Sequence, residues 1–267
     1  MSSLERPPRW GLIAIVVLLL ANVGLVLLLA QRSNGAPDVD LGSVVTATTA
    51  SPRTAAPPRT SATPGADSSA SSTIARPSQS GVLAVYGDGY SSGNSEGGEG
   101  AAGWPALVAE QLGMQLELRA ATLTGYMRPG STGQTYPQLV RAQPSADATV
   151  TVVFGSRNDV AAPPDGVRAA ASATYQAILA ADPDTKLVVI GPCWSSSSPP
   201  AELTAVSTAV RTAAEAAGAI YVDPLALGWF ANPAGLVSPI DDISLLDAGH
   251  VFLAQQIGPL VDSARSS

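Results

Sequence analysis

This chain of 267 residues holds one cysteine and one histidine. A single thiol excludes an internal disulfide. A single imidazole excludes a histidine-built metal centre or a spaced Cys/His zinc set, so no metal and no cofactor is expected. Charge is also scarce. Asp, Glu, Lys and Arg make up 13% of the residues and the formal net charge is −7. That balance offers no basic surface to nucleic acid. Ala, Gly, Pro, Ser and Thr dominate instead, and they are unevenly distributed along the chain.

The run Trp10 to Ala30 contains no charged residue. At about 1.5 Å per helical residue it spans roughly 30 Å, the thickness of a bilayer's hydrocarbon. The apolar core of a cleaved signal peptide is shorter, about 7–15 residues, and ends at a small-x-small site that this run lacks. An uncleaved anchor over 10–30 is therefore expected; a buried core helix is the alternative. Arg6 and Arg9 precede the run and only Arg32 follows closely, which predicts a cytoplasmic segment 1–9 and an extracytoplasmic remainder. No cysteine follows the run, so a lipoprotein anchor is excluded. Residues 31–80 are rich in Ser, Thr, Pro and Ala with few large apolar side chains. Such a segment buries too little surface to offset its ordering entropy and is expected to be a disordered stalk. The expected location is the cell membrane, single-pass, with the folded domain outside.

From Gly81 onward, short apolar runs alternate with helical patterns. Strands are predicted at 82–86, 115–119, 149–153, 186–191 and 219–222, and helices at about 103–113, 166–182, 200–217 and 247–263, with Asp247 as the N-cap of the last. Alternating strands and helices predict a three-layer α/β/α domain over 81–267 with a five-stranded parallel sheet in the order 2-1-3-4-5. Ligands of such sheets sit at the strand carboxyl ends. That rule gathers Asp88, Gly155 to Asp159, Pro192 to Trp194, Asp223 and the loop around Asp241.

Several of these loops carry motifs. The first strand runs into Gly87-Asp88-Gly89-Tyr90-Ser91-Ser92-Gly93. The third runs into Phe154-Gly155-Ser156-Arg157-Asn158-Asp159. Between them lies Leu123-Thr124-Gly125-Tyr126, and Asp241 to His250 leads into the last helix. Together these blocks resemble the SGNH/GDSL hydrolases. The resemblance implies a flavodoxin-like sheet and an esterase site. A serine would follow Asp88 as nucleophile, and Asn158 would donate to the oxyanion of the tetrahedral intermediate. Gly125 would offer a second N–H, with Gly130 and Gly133 as neighbouring candidates, and an Asp-x-x-His pair would supply the base. Plain turn roles for Asn158 and Gly125 remain open.

The serine position holds Gly89. Two registers fit the last block. In one, Asp247 and His250 form the Asp-x-x-His pair. In the other, which matches Gly249 and the helix start Val251 to Ala254, the aspartate is Asp241 and the base position holds Ser244. The second register is preferred. A glycine has no nucleophile, and a serine hydroxyl is no base near neutral pH. The expectation is a membrane-anchored, extracytoplasmic SGNH-like domain without catalysis, binding or scaffolding acylated or glycan material at the cell envelope. The alternative is an active esterase, lipase or acyltransferase using Ser91 or Ser92 with His250 and Asp247; a structural domain without a ligand is a third reading. Cys193 is read as a small buried residue, and Trp194 and Trp229 as pocket walls or core.

Overall fold

The computed structural model of the protein describes residues 81–267. The expected anchor over 10–30 and the expected stalk over 31–80 lie outside the described residues. Among the described residues no helix is long and apolar enough to cross a membrane.

Five strands, β1 (Val82–Gly87), β2 (Gln115–Ala120), β3 (Ala148–Phe154), β4 (Lys186–Ile190) and β5 (Ile220–Val222), form one sheet in the order β2-β1-β3-β4-β5. Every pairing is parallel. The register brings Gly87 at the end of β1 beside Ala120 on one neighbour and Phe154 on the other. Three strand ends therefore finish level with one another, and the loops that leave them share one rim.

Alternate residues of each strand point to opposite faces, and both faces are covered. One face presents Leu83, Val85, Val150, Val152 and Val188 to the helices α2 (Trp104–Leu112) and α6 (Asp247–Arg265). The other presents Ala84, Tyr86, Val153, Leu187 and Val189 to α3 (Tyr136–Ala142), α4 (Pro164–Ala181) and α5 (Ala201–Ala216). A single turn, α1 (Gly89–Ser92), follows β1. The β-branched runs thus belong to strands buried on both sides, each large side chain contributing about 1.5–3 kcal/mol on burial.

Helix boundaries follow local chemistry. In α4 the buried Val167, Ala171, Thr174, Tyr175 and Ile178 fall on one 3.6-residue face, with Pro164 in the first turn. Gly113 closes α2 in the left-handed conformation, and its N–H bonds Ala109 O and Glu110 O. Strand β5 starts one residue later than expected because the Ala219 N–H still bonds Ala214 O of α5. No helix is predicted between β2 and β3. Helix α3 is set there by a capping box, in which Thr135 N–H donates to Gln138 Oε1 at 2.9 Å. Asp247, expected as an N-cap, is instead the first helical residue of α6. Its carboxylate turns away to accept the Gly98 N–H at 2.8 Å.

Candidate active site

Asp88 stands where the β1 backbone leaves the sheet. Its Oδ1 accepts the Tyr90 N–H at 3.0 Å, which caps α1, and its Oδ2 accepts from Asn158 Nδ2 at 2.8 Å. Gly89, the first residue of α1, lines a cleft of about 420 Å³ together with Asp88, Asn158, Asp241 and Ser244. A Cβ placed on Gly89 would meet only Thr122, at 3.6 Å from Cγ2.

Asn158 sits in a single 3₁₀ turn, Arg157–Asp159, whose N-cap Ser156 accepts the Asn158 N–H at 3.0 Å. Its side-chain amide donates twice, to Asp88 and to Thr124 O at 2.9 Å. Both amide hydrogens are thereby committed to the protein. The neighbouring Asp159 is buried and holds the loop after β2 by accepting three consecutive N–H groups, those of Tyr126, Met127 and Arg128, at 2.7–3.0 Å.

Gly125 is part of that clamp and does not line the cleft. Its N–H donates to Arg128 O, and a Cβ there would strike the Asp159 carboxylate at 2.6 Å. The glycine is required for this close approach, and its N–H is turned away from the position expected of an oxyanion donor. Gly130 likewise packs against Thr124, whereas Gly133 has open space around it.

Asp241 and Ser244 form a closed pair. Ser244 Oγ donates to Asp241 Oδ2 at 2.6 Å, while the N–H groups of Ser244 and Ile243 donate to Oδ1 at 2.8 and 2.9 Å. Asn94 Nδ2 donates to Ser244 Oγ at 3.1 Å. These donors, the Ser244 hydroxyl first, hold the Asp241 carboxyl below its ordinary range. Asp88 behaves in the opposite way. Burial pushes its carboxyl up to about 6, against the pull of the Tyr90 N–H, the Arg157 charge and the Asn158 amide.

The other constellation is not gathered at this cleft. Ser91 is buried with its Oγ turned back against Gly87 and without a partner among the described residues. Ser92 Oγ donates locally to Gly93 O. His250 is buried beneath α2, where Nδ1 accepts the Trp104 N–H at 3.4 Å and Nε2 abuts Gly98. Burial lowers the His250 pKa to about 4, with Asp247 pulling weakly the other way. Cys193 lies in the core, its thiol pushed well up by burial and by the nearby Asp88. Trp229 is core as well, whereas Trp194 lines the cleft. Among the described residues, no group of three or more His, Cys, Asp or Glu side chains is placed to hold a metal.

Two motif residues that carry no expected role, Arg157 and Tyr90, organise the cleft. The Arg157 guanidinium stacks on Trp194 at 4.6 Å and donates to Tyr90 OH at 2.8 Å. The Tyr90 hydroxyl in turn donates to Ile243 O at 2.8 Å, which ties the Asp241–Ser244 loop to α1. Relative to the Gly-x-Asn-Asp pattern of the SGNH/GDSL hydrolases this chain carries one extra residue between Gly155 and Asn158, and that longer turn is where Arg157 stands.

A doubly covered parallel sheet with the Asp88, Asn158 and Asp241 loops around one cleft defines a three-layer α/β/α domain of the SGNH/GDSL class. Residues 85–250 match the GDSL-like lipase/acylhydrolase family, and the chain belongs to that family. A GDSL lipase of Mycobacterium tuberculosis is 33% identical over 187 residues, covering 67% of this chain and 80% of the relative. Among solved structures, the protein TesA superposes with a TM-score of 0.55 at 19% identity, over 68% of this chain and 99% of its own. A family-two carbohydrate esterase with a carbohydrate-binding domain from Myceliophthora fergusii gives a TM-score of 0.57 at 17% identity, over 72% of this chain and 68% of its own. At these identities the two structures speak for the fold alone.

Proposed function

We propose that this protein is a GDSL-family domain that binds a ligand without turning it over, carried outside the cell by a membrane anchor over 10–30. The observation that carries this reading is the lining of the cleft. Gly89 and Ser244, which the preferred register aligns with the family's nucleophile and base, line it, while Ser91 and the one histidine of the chain are buried. Acyl transfer by the family's route needs a hydroxyl within hydrogen-bond reach of a base and preorganised donors at the oxyanion. Asp241, already accepting three hydrogen bonds, is a weak base. The Asn158 amide and the Gly125 N–H are both committed elsewhere. A binding or scaffolding role for acylated or glycan material at the cell envelope is the function that remains for such a cleft.

The competing reading is an active lipase, favoured by the name of the mycobacterial relative. The full-length protein is expected to hydrolyse p-nitrophenyl esters no faster than its Asn158→Ala variant. The double variant Gly89→Ser with Ser244→His is expected to gain turnover, and each single change to gain little, because triad members act as a unit. Wild-type hydrolysis abolished by Ser91→Ala or His250→Ala would replace this reading with the active one. Retention of the protein in membranes after carbonate washing, with the domain removed by protease from intact cells, tests the anchor.

A further inference from the structure

The cleft at Gly89 is continuous with a second one. The larger neighbour, about 820 Å³, shares Arg157, Trp194, Asp241 and Ile243 with it. The remaining walls of that neighbour are mostly apolar, including Pro233, Val237, Pro239 and Leu246. Ile243, on the shared boundary, is 47% exposed. The two clefts therefore make one trough with a polar end and an apolar end.

The charged groups at the polar end are not equivalent. The two acids are already engaged. Asp88 accepts from Tyr90 N–H and Asn158, and Asp241 accepts from Ser244 and Ile243. The two arginines are not. Among the described residues neither Arg128 nor Arg157 has an ion-pair partner, and the Arg128 side chain donates no hydrogen bond. Arg157 donates to Tyr90 OH alone and is held in orientation between the Tyr90 and Trp194 rings, at 5.7 and 4.6 Å. A guanidinium carries five N–H donors in a planar fork that matches a carboxylate. The open donors of the cleft therefore call for an anion, and the absent side chain at Gly89 leaves room beside them.

We infer that the trough binds a carboxylate borne on an apolar chain, with the head between Arg128 and Arg157 and the chain running past Ile243 and Trp194 into the apolar cleft. This rests on the binding reading above and names the ligand class for the same site. An ester would present no charge to the two arginines, so the preference is for the free acid.

The test uses the full-length protein and three soluble probes, octanoate, 1-octanol and acetate, with binding followed by calorimetry and tryptophan emission. Octanoate is expected to bind roughly tenfold or more tightly than either comparator, since a charge-assisted fork and a buried chain each contribute about that factor. Arg128→Gln, an exposed position outside the core, and Arg157→Gln are each expected to weaken octanoate about tenfold and so to erode its preference over 1-octanol. Arg157→Lys, which keeps the charge and loses the fork, should fall between. Equal affinity for octanoate and 1-octanol overturns the inference, as does unchanged octanoate binding in Arg128→Gln and Arg157→Gln together. The two readings fail separately, because turnover of an aryl octanoate overturns the silent site whereas loss of the charge preference overturns the ligand class.

Discussion

The single turn α1 has two faces with opposite content. Toward the cleft it presents Gly89, which has no functional group, in space that a ligand can reach. Toward the sheet it presents Ser91, which has a hydroxyl, in a position that no ligand can reach. The same division recurs at the far end of the domain. The exposed Asp241–Ser244 pair faces the cleft without an imidazole, while Asp247 and His250 stand on the first turn of α6 and bind the backbone of the Gly98–Trp104 segment. Nucleophilic catalysis needs reactive groups that are both present and accessible. Here the cleft-lining Gly89 and the buried Ser91 hydroxyl lie two positions apart on α1, and the cleft-lining Ser244 and the buried His250 lie six positions apart in sequence. His250 serves the fold: α2 has no side-chain cap at Gly103, and the imidazole supplies an acceptor to its first N–H from outside the helix.

The core side of this comparison should be the more costly to disturb. His250→Ala removes a buried ring and leaves the Trp104 N–H without its acceptor, so a loss of about 2–4 kcal/mol is expected from cavity and desolvation together. Denaturant unfolding monitored by circular dichroism measures it. A loss below about 1 kcal/mol would mean that His250 is not a structural cap, and would return it to the list of functional candidates.

Next in size is a pair of opposed pH effects, one from each side. An unfolded chain ionises Asp88 near 3.8, but the folded chain keeps its proton until about 6. The stability from Asp88 is therefore full below about 4 and is lost as pH rises to 6. An unfolded chain protonates His250 near 6.5, but the folded chain resists until about 4. The stability from His250 is full above 6.5 and is lost as pH falls to 4. Each shift corresponds to about 3 kcal/mol between its limits. Between pH 4 and 6 the two slopes cancel, one proton bound in each state. Asp88→Asn should unmask the histidine, giving a protein that weakens as pH falls through this window. His250→Gln should unmask the aspartate and weaken as pH rises. Parallel slopes in the two variants would show that one of these groups is not buried as described.

The inner strands β1, β3 and β4 were legible because they are short, apolar and largely buried on both faces, as strands of a doubly covered parallel sheet are, and the Asp88, Asn158 and Asp241 loops followed from the rule for strand ends. Other features were not legible, for physical reasons. The Asp159 clamp on three N–H groups depends on a loop that closes across the sheet from 31–33 residues away. The Gly125 N–H direction follows from that clamp and from no local signal. The Arg157–Tyr90–Ile243 chain joins three loops whose order in sequence says nothing of their proximity. Helix α3 was legible in principle from Thr135 and Gln138, but it is short, with few turns to establish a period.

The smallest expected effect is the most instructive, because it asks whether the fold or the chemistry put a glycine on the cleft side of α1. Some glycines here are demanded by packing. A Cβ on Gly87 would lie on top of the Ser91 side chain, so Gly87→Ser should be costly. Gly89 is different. Its φ is not in the left-handed region, and an added Cβ finds ordinary van der Waals contact with Thr122 at 3.6–4.0 Å and nothing nearer. Glycine in a helix costs about 0.5–1 kcal/mol relative to alanine, so a side chain at this helical position also removes conformational freedom from the unfolded chain. These terms are small, and Gly89→Ser is expected to change stability by no more than about 0.5–1 kcal/mol, in the stabilising direction if in either. Thermal unfolding of Gly89→Ser beside Gly87→Ser measures the contrast. A loss above about 2 kcal/mol in Gly89→Ser would mean that the turn itself excludes a side chain, and the missing nucleophile would then be a requirement of this backbone. A neutral result means that the backbone accepts a serine, as the contacts around Gly89 predict.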